Sequence, residues 1–270
     1  MANESTELAA PRVAVVVPAY NEVGYIDDTI RALQQQTFRD TAAHDAGAPF
    51  RIIVVDNNST DGTGDLVRQL ASHSAVPIDV LTETEKGTGS AADSGFRYAI
   101  DSGAQFIART DADTLPAPDW LTQIVAPLLD GKSLVGGRVR ARSSDGARAI
   151  AFNLIGTTWR LGHFITWLRT RSQPAHLRKS FLVVGNNLAV TADTYCAAGG
   201  FPRTKIDDVD EDAVLQQRVA EYAGGDAIAL APHAVVFTSL RRLQAYGTRG
   251  YLDWYHSKNA GDGDVPTDVR

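Results

Sequence analysis

Two short apolar stretches decide the fold: residues 12–17 read RVAVVV, and residues 50–55 read FRIIVV. Both are rich in β-branched residues and show no alternation of apolar and polar positions, which is typical of strands buried on both faces. Each stretch ends in polar, turn-forming residues, PAYNE at 18–22 and DNNSTDG at 56–62. Buried strands that end in polar loops predict a parallel sheet covered by helices on both sides.

The rest of the chain extends this pattern. Shorter apolar runs predict further strands at residues 78–81, 105–108, 134–142, 187–190, 227–230 and 235–237. Apolar residues at helical spacing predict helices at 26–38, around 66–70, and at 91–102, 116–129, 146–168, 208–222 and 240–256. Strands separated by helices of this length favour one α/β domain, with flexible ends at 1–10 and 257–270.

Composition narrows the class of protein. The chain has 270 residues, 44% of them hydrophobic, and Cys196 is the only cysteine, which excludes a disulfide framework. No uninterrupted apolar run reaches the ~18 residues that a membrane-spanning helix needs. The first eleven residues carry no basic residue, unlike a signal peptide. We therefore expect a soluble protein of the cytoplasm, and its net charge of −6 argues against nucleic acid as a partner.

A basic block interrupts this acidity. Residues 138–180 contain nine basic residues and one acid, Asp145, which is a local charge of +8. The block includes the helix predicted at 146–168, whose apolar residues fall on more than one face, so this helix contacts more than the sheet. Three interpretations of residues 146–171 stay open: a homodimer contact, a peripheral contact with an anionic membrane, and an anionic acceptor site.

Two acidic motifs suggest chemistry. Asp111 and Asp113 directly follow a predicted strand, where two carboxylates can reach one hard cation such as Mg²⁺ or Mn²⁺. The plain alternative is a turn that caps the next helix. Residues 207–212 (DDVDED) open another predicted helix; acids there complement the helix dipole. Five acids in six positions exceed that need, and their crowding raises a carboxylate's pKa, which suits a general base.

Other motifs are weaker. Residues 87–92 (GTGSAA) satisfy the G-x-G-x-x-A pattern of dinucleotide-binding proteins, but residues 82–86 separate them from the preceding strand. There is no G-x-S-x-G nucleophile motif. His233 is a candidate third metal ligand, although such a histidine is more often a surface or packed residue.

Taken together, the motifs resemble glycosyltransferase family 2. VVVPAYNE (15–22), VVDNNSTDGT (54–63), TDAD (110–113), AGGF (198–201) and EDAVLQQR (211–218) occur in the order of that family. The resemblance implies a GT-A fold, a Rossmann-like α/β/α domain with a mostly parallel central sheet. It also implies inverting sugar transfer from a nucleoside-diphosphate sugar, with Mn²⁺ or Mg²⁺ as cofactor and an acceptor that the motifs do not identify.

The same resemblance assigns roles to residues. It divides the chain into a nucleotide-sugar-binding half at 11–130 and an acceptor-binding half at 131–256. The implied donor-binding residues are Pro18, Ala19, Tyr20, Glu22, Asp56 and Asp111. Asp113 resembles the direct metal ligand, with Asp111 beside it. Asp212 resembles the catalytic base, with Glu211 as its neighbour. The implied acceptor pocket comprises Gly185, Asn186, Asn187, Gly199, Gly200 and Phe201.

One segment departs from the family pattern. Where members often show Ala-Arg-Asn-x-Gly, this chain has AADSG at residues 91–95, so an arginine and an amide are missing. Lys86 is our candidate substitute. The alternative functions are a sugar-phosphate nucleotidyltransferase, which requires a Gly-rich basic loop after the first strand, and a non-catalytic nucleotide-sugar-binding module, which does not need the acid cluster.

Overall fold

The central sheet explains why the first strands are uniformly apolar. The computed structural model describes residues 12–39, 48–174, 178, 182–203 and 210–241. Strands β1 (Val13–Ala19) and β2 (Arg51–Asp56) are buried along almost their whole length. In β1, residues 13, 15 and 17 join one hydrophobic cluster and residues 14 and 16 join the other. Helices therefore cover both faces of the sheet, as predicted.

The remaining elements alternate along the chain. In order they are α1 (Ile26–Gln34), α2 (Thr63–Ala71), β3 (Ile78–Thr82), α3 (Thr88–Asp101), β4 (Phe106–Thr110), β5 (Thr114–Pro116), α4 (Trp120–Leu129), β6 (Leu134–Ala141), α5 (Ala147–Thr170), β7 (Asn187–Thr191), α6 (Ala192–Ala198), α7 (Glu211–Ala223) and β8 (Ile228–Thr238). Helices α1, α2 and α4 pack on one face of the sheet, and α3, α6 and α7 on the other.

The sheet has eight strands in the order β3-β2-β1-β4-β7-β6-β8-β5. Strands β1 to β4 are parallel to one another, and β6 is parallel to β8. Strand β7 is antiparallel to both β4 and β6, and β5 is antiparallel to β8. The prediction of a single α/β domain with a mostly parallel sheet is confirmed.

Three local predictions differ from the structure. The two strands predicted at 227–230 and 235–237 are one strand, β8, whose pairing with β6 shifts around Gly137. Pro232 has no N–H to donate, so the apolar run looks broken although the chain stays extended. Strand β5 and helix α6 were not predicted, because three and seven residues are too short for a clear period.

Some predictions lie outside the described residues. These are the flexible ends at 1–10 and 257–270, residues 207–209 of the acid cluster, and the part of the last predicted helix beyond residue 241. In α5, the side chains of residues 147, 155 and 157–163 are also outside the described set.

Candidate active site

Six strands end at the same edge of the sheet. Because β7 is antiparallel to both of its neighbours, β6 and β8 run in the same direction as β1 to β4. These strands therefore share one edge, at which their last residues are Ala19, Asp56, Thr82, Thr110, Ala141 and Thr238. Ligands of open α/β sheets bind at the carboxyl ends of the strands, so this edge is the candidate site.

Hydrogen bonds fix the loop after β1 against the loop after β2. Asn21 has a positive φ of 54°, its backbone N–H donates to Ser59 Oγ at 3.0 Å, and its Oδ1 accepts from the Thr60 N–H at 2.9 Å. The Glu22 N–H donates to Thr63 Oγ1 at 2.8 Å. These bonds bring the predicted donor residues Pro18, Ala19, Tyr20 and Glu22 beside the Asp56 loop.

Asp56 and Asn57 shape the floor of this loop pair. Asp56 is buried, and its Oδ1 accepts from the Ser59 N–H at 2.9 Å. A Cβ on Gly64 would lie 2.4 Å from Asp56 Oδ2, so α2 approaches the carboxylate this closely only with glycine there. The Asn57 side chain bonds to three backbone groups of the loop after β3, at residues 83, 85 and 87. That loop carries Lys86, which is exposed.

The carboxylate Asp113 faces positive charge. It is buried, and its Oδ2 lies 3.3 Å from Nε of Arg241, three residues after the end of β8. Its backbone carbonyl accepts a hydrogen bond from Arg142 Nη2 at 2.6 Å. Carboxylate oxygens are the ligands that Mg²⁺ and Mn²⁺ prefer. One oxygen of Asp113 already lies beside a positive charge, that of Arg241. The carboxylate of Asp113 therefore fits a divalent cation.

Arg109 links this motif to the acid cluster of α7. Its guanidinium is wholly buried, and Nη2 lies 3.4 Å from Asp111 Oδ1 and 3.2 Å from Glu211 Oε1. Burial alone lowers the pKa of Arg109, but the charges of Asp111, Glu211 and Asp212 outweigh burial and raise it. Arg109 is not among the residues predicted from the sequence, although a lone arginine in the buried strand sequence FIART is a visible signal.

Asp212 has the surroundings of a base. Its Oδ2 accepts from the Gly185 N–H and its Oδ1 from the Ala213 N–H, both at 2.8 Å. Burial, and then the charge of Glu211, raise the pKa of Asp212 to about 6, against the lowering effects of those N–H donors and Arg109. A carboxylate with this pKa is mostly ionised at neutral pH and accepts a proton more readily than an ordinary aspartate.

The predicted acceptor residues separate into different surroundings. A Cβ on Gly185 would lie 3.0 Å from the Arg109 guanidinium, so glycine lets the chain pass over it. Asn186 Oδ1 is buried and has no hydrogen-bond partner. The side chain of Asn187 is fully engaged: Oδ1 accepts from Trp120 Nε1, and Nδ2 donates to the carbonyls of residues 138 and 234. Asn187 therefore has a packing role in the sheet.

The AGGF segment reaches the site from α6. Phe201 is buried, and the Arg109 guanidinium lies 5.3 Å from the centre of its ring. Gly199 and Gly200 have positive φ angles of 86° and 64°, and both of their carbonyls accept from Arg218 Nη1. The turn that ends α6 is thus tied to α7, the helix that carries Asp212.

Arg203 pairs with Asp93, the acid in the segment that departs from the family pattern. It forms ion pairs with Glu83 at 2.8 Å, Glu85 at 2.9 Å and Asp93 at 3.3 Å. Asp93 is buried in α3 and also accepts from the hydroxyl of Tyr195 at 2.8 Å. No sequence pattern predicts this pairing, because Arg203 is 110 residues from Asp93 along the chain.

His233 lies apart from the two metal-motif carboxylates. It is exposed and lies five residues before the end of β8. Among the described residues, no group of three or more His, Cys, Asp or Glu side chains is placed to hold a metal ion. His233 therefore does not complete a three-ligand set with Asp111 and Asp113.

Helix α5 leaves the site edge and exposes apolar side chains. Ala149 and Phe152 pack its first turns on the domain with Ala141 and Leu240. Its described apolar side chains that are at least 40% exposed are Ile150, Leu154, Phe164, Ile165, Trp167 and Leu168. In the described part of the chain, no helix has the length and hydropathy needed to span a membrane.

Comparisons with known proteins agree with this geometry. The chain is 32% identical over 141 residues to glycosyltransferase AglE of Haloferax volcanii, which covers 52% of this chain and 43% of that protein. It is 30% identical over 128 residues to an undecaprenyl-phosphate mannosyltransferase of Micrococcus luteus, covering 47% and 48%. The chain thus spans about half the length of the curated relatives that it matches.

The fold has solved counterparts. Mannosyltransferase PcManGT from Pyrobaculum calidifontis, solved in complex with GDP-Man and Mn²⁺, superposes with a TM-score of 0.61 at 23% identity, covering 96% of this chain and 67% of that one. The predicted GT-A fold class is confirmed. The sequence model of the family described as Glycosyl transferase family 2 matches residues 14–181, more than half of the chain. The chain belongs to glycosyl transferase family 2.

Proposed function

We propose that this protein transfers a sugar from a nucleoside-diphosphate sugar to a polyprenyl phosphate. The observation that carries the proposal is the buried bridge of Arg109, which places Asp111 and Glu211 on the same nitrogen. This bridge links a residue of the predicted donor half to a residue of the predicted acceptor half, which supports a single reaction centre at this edge. A relative named as an undecaprenyl-phosphate mannosyltransferase supports the choice of acceptor.

The donor would bind at the loops after β1, β2 and β4. Pro18, Ala19, Tyr20 and Asp56 stand where the nucleoside would lie, and Lys86 is the nearby candidate for a phosphate contact. Asp113, with Asp111 beside it, would hold Mn²⁺ or Mg²⁺. When bound, that cation would neutralise the charge that develops on the leaving diphosphate. The Mn²⁺ and GDP-Man in the structure of PcManGT support this assignment.

Asp212 would act as the general base. As the acceptor oxygen forms its bond to the anomeric carbon, the bond from that carbon to the diphosphate breaks, and Asp212 takes the acceptor's proton. The second ionisation of a phosphate monoester has a pKa of about 6. The pKa of Asp212, also about 6, matches that proton closely. Attack from the face opposite the leaving group inverts the anomeric centre. Gly185, Asn186, Gly199, Gly200 and Phe201 would line the acceptor side.

Helix α5 would bring the site to its acceptor. A polyprenyl phosphate lies in a membrane, with its phosphate at the surface. Trp167 and Phe164 are exposed, and their stacked rings have centres 5.9 Å apart. Arg169 and Arg171, which follow closely in the sequence, are also exposed. Exposed aromatics with adjacent arginines are typical of segments that lie on an anionic membrane. We therefore propose a cytoplasmic enzyme that contacts the membrane through residues 146–171.

A two-stage experiment tests this function. A thermal-shift screen of UDP-, GDP- and dTDP-sugars with Mn²⁺ identifies the donor by the largest rise in melting temperature. Transfer of the labelled sugar from that donor to polyprenyl phosphate is then measured. We expect transfer that EDTA abolishes and that Mn²⁺ or Mg²⁺ restores. Stabilisation by a donor with neither transfer nor hydrolysis would indicate a binding module. Pyrophosphate release from a nucleoside triphosphate and a sugar phosphate would indicate a nucleotidyltransferase.

A further inference from the structure

Arg241 forms an ion pair with Asp113, the carboxylate that we assign to the metal. Its Nε lies 3.3 Å from Asp113 Oδ2, and its Nη2 donates to Glu22 Oε1. Its guanidinium also lies over the ring of Tyr25, 4.6 Å from the ring centre. Arg241 thus spans the gap between the loop after β1 and the metal motif after β4.

Both carboxylates need a positive partner. The side chains of Glu22 and Asp113 are only 8% and 11% exposed, and a buried carboxylate without a counter-charge is strongly destabilising. Before any donor binds, Arg241 supplies that charge from within the chain. Arg142 lies close by, but it contacts the backbone carbonyl of Asp113 and leaves the Asp113 carboxylate to Arg241.

A divalent cation and Arg241 would use the same oxygen of Asp113. The cation can bind this oxygen only after Arg241 has moved away from it. Arg241 gives up its ion pairs with Glu22 and Asp113 more readily when another anion pairs with its guanidinium. The diphosphate of the donor is such an anion, and it would arrive at this edge of the sheet together with the metal.

We propose that Arg241 is a built-in counter-cation of Asp113. A divalent metal would replace Arg241 on Asp113, and the nucleoside diphosphate would then bind the displaced guanidinium. This inference rests on the proposed metal-dependent transfer. It has two consequences of opposite sign. Arg241 weakens the binding of the metal alone, and it strengthens the binding of the diphosphate when the metal is present. The two ligands therefore bind with positive coupling through one side chain.

The test measures two affinities in the wild type and in Arg241→Gln, which keeps a side chain on Tyr25 but removes the charge. Mn²⁺ alone is titrated and followed by the electron paramagnetic resonance signal of free Mn²⁺. UDP and GDP are then titrated by calorimetry at saturating Mn²⁺. Arg31→Gln, which removes an exposed cation paired with Asp27 on α1, is the matched control.

We expect Arg241→Gln to bind Mn²⁺ alone about tenfold more tightly than the wild type and the nucleoside diphosphate about tenfold more weakly. Arg31→Gln should stay close to the wild type in both measurements. Should Arg241→Gln fold poorly, Arg241→Lys, whose single ammonium replaces the fork that reaches both Glu22 and Asp113, should also tighten the binding of Mn²⁺ alone, though by less.

Two outcomes overturn the inference in distinguishable ways. Equal affinity of the wild type and Arg241→Gln for Mn²⁺ alone would refute the competition, while metal-dependent transfer by the wild type would still stand. Failure of the wild type to bind Mn²⁺ even with UDP or GDP present would refute the proposed metal dependence, and the inference with it.

Discussion

The site edge and helix α5 are built in opposite ways. At the edge, the loops after β1 and β2 bond directly to each other, and the Asp212 carboxylate receives two backbone N–H donors. In α5, the described side chains that pack on the domain, Ala149, Phe152 and Asn153, lie in the first turns. Beyond them, Phe164 and Trp167 are 54% and 40% exposed.

The difference indicates that the two regions have different functions. Groups that react must be held in place before the substrate arrives, and the edge holds them with short hydrogen bonds and buried ion pairs. An apolar surface that stays exposed on a folded domain marks a contact with something outside it. Substitutions at the edge should therefore change chemistry or stability, whereas substitutions on the far turns of α5 should change neither.

The largest expected effect is the loss of the base. Asp212→Asn keeps the size of the side chain but removes proton acceptance, so kcat for transfer should fall by roughly 10²- to 10⁴-fold. Donor affinity, measured by calorimetry, should stay within a few fold of the wild type. Asp210→Asn, an exposed position two residues away, is the control and should transfer normally. Normal turnover by Asp212→Asn would move the base to a neighbouring acid.

The pH dependence of transfer tests the surroundings of the same carboxylate. Burial raises the pKa of Asp212 to about 6, and a base must be deprotonated to act. Below that value kcat/KM should fall about tenfold per pH unit, and above it kcat/KM should fall as well, because the acceptor phosphate then loses the proton that Asp212 takes. The measurement is kcat/KM from about pH 5 to about pH 8. A profile that stays flat through pH 6 would contradict the assigned role.

Two adjacent asparagines separate packing from binding. Asn187→Ala leaves Trp120 Nε1 and two buried carbonyls without partners and should cost about 3 kcal/mol of stability. Asn186→Ala removes no described hydrogen bond of that side chain, so its effect should stay within about 0.5 kcal/mol while KM for the acceptor rises. Chemical denaturation and acceptor titration measure both. Equal stability of the two variants would refute this division.

The bridge of Arg109 should matter for stability as well as for chemistry. Arg109→Met leaves Asp111 and Glu211 without their shared partner, and we expect a loss of about 3 kcal/mol in the free energy of unfolding. Arg31→Met, whose pair with Asp27 is exposed, should cost less than about 0.5 kcal/mol. Denaturant unfolding of both variants and of the wild type measures these two losses. Identical midpoints would mean that the bridge contributes nothing.

The smallest effect on the fold is expected in α5. The double variant Phe164→Ser, Trp167→Ser should change stability by less than about 0.5 kcal/mol, because both side chains are exposed. Its co-sedimentation with anionic vesicles at low salt should fall several fold relative to the wild type. If the wild type itself does not bind vesicles, the proposal of a membrane contact is wrong. Concentration-dependent dimers that the double variant loses would then favour the homodimer.

Much of the fold could be predicted because burial leaves a local pattern. A strand covered on both faces, such as β1, must be apolar at every position, and that run is visible in one sequence. The carboxylates of Asp111 and Asp113 follow such a strand directly, so their place at the sheet edge was also predictable. The single α/β domain with a mostly parallel sheet followed from these signals.

The missed features depend on which distant segments meet. Arg109, Arg203 and Arg241 each pair with acids about a hundred or more residues away, and no local period reports such a meeting. The reversed direction of β7 has the same origin, since a short apolar run has the same pattern in either direction. Asp212 and Glu211 were both candidates for the base, and only their different contacts distinguish them.

The anomeric configuration of the product tests the central claim most directly. Once the donor is identified, proton NMR gives the anomeric coupling of the donor and of the transferred sugar. If Asp212 is a general base in a single displacement, the product has the configuration opposite to that of the donor. Retained configuration would exclude a single displacement from the opposite face and would contradict the role that we assign to Asp212.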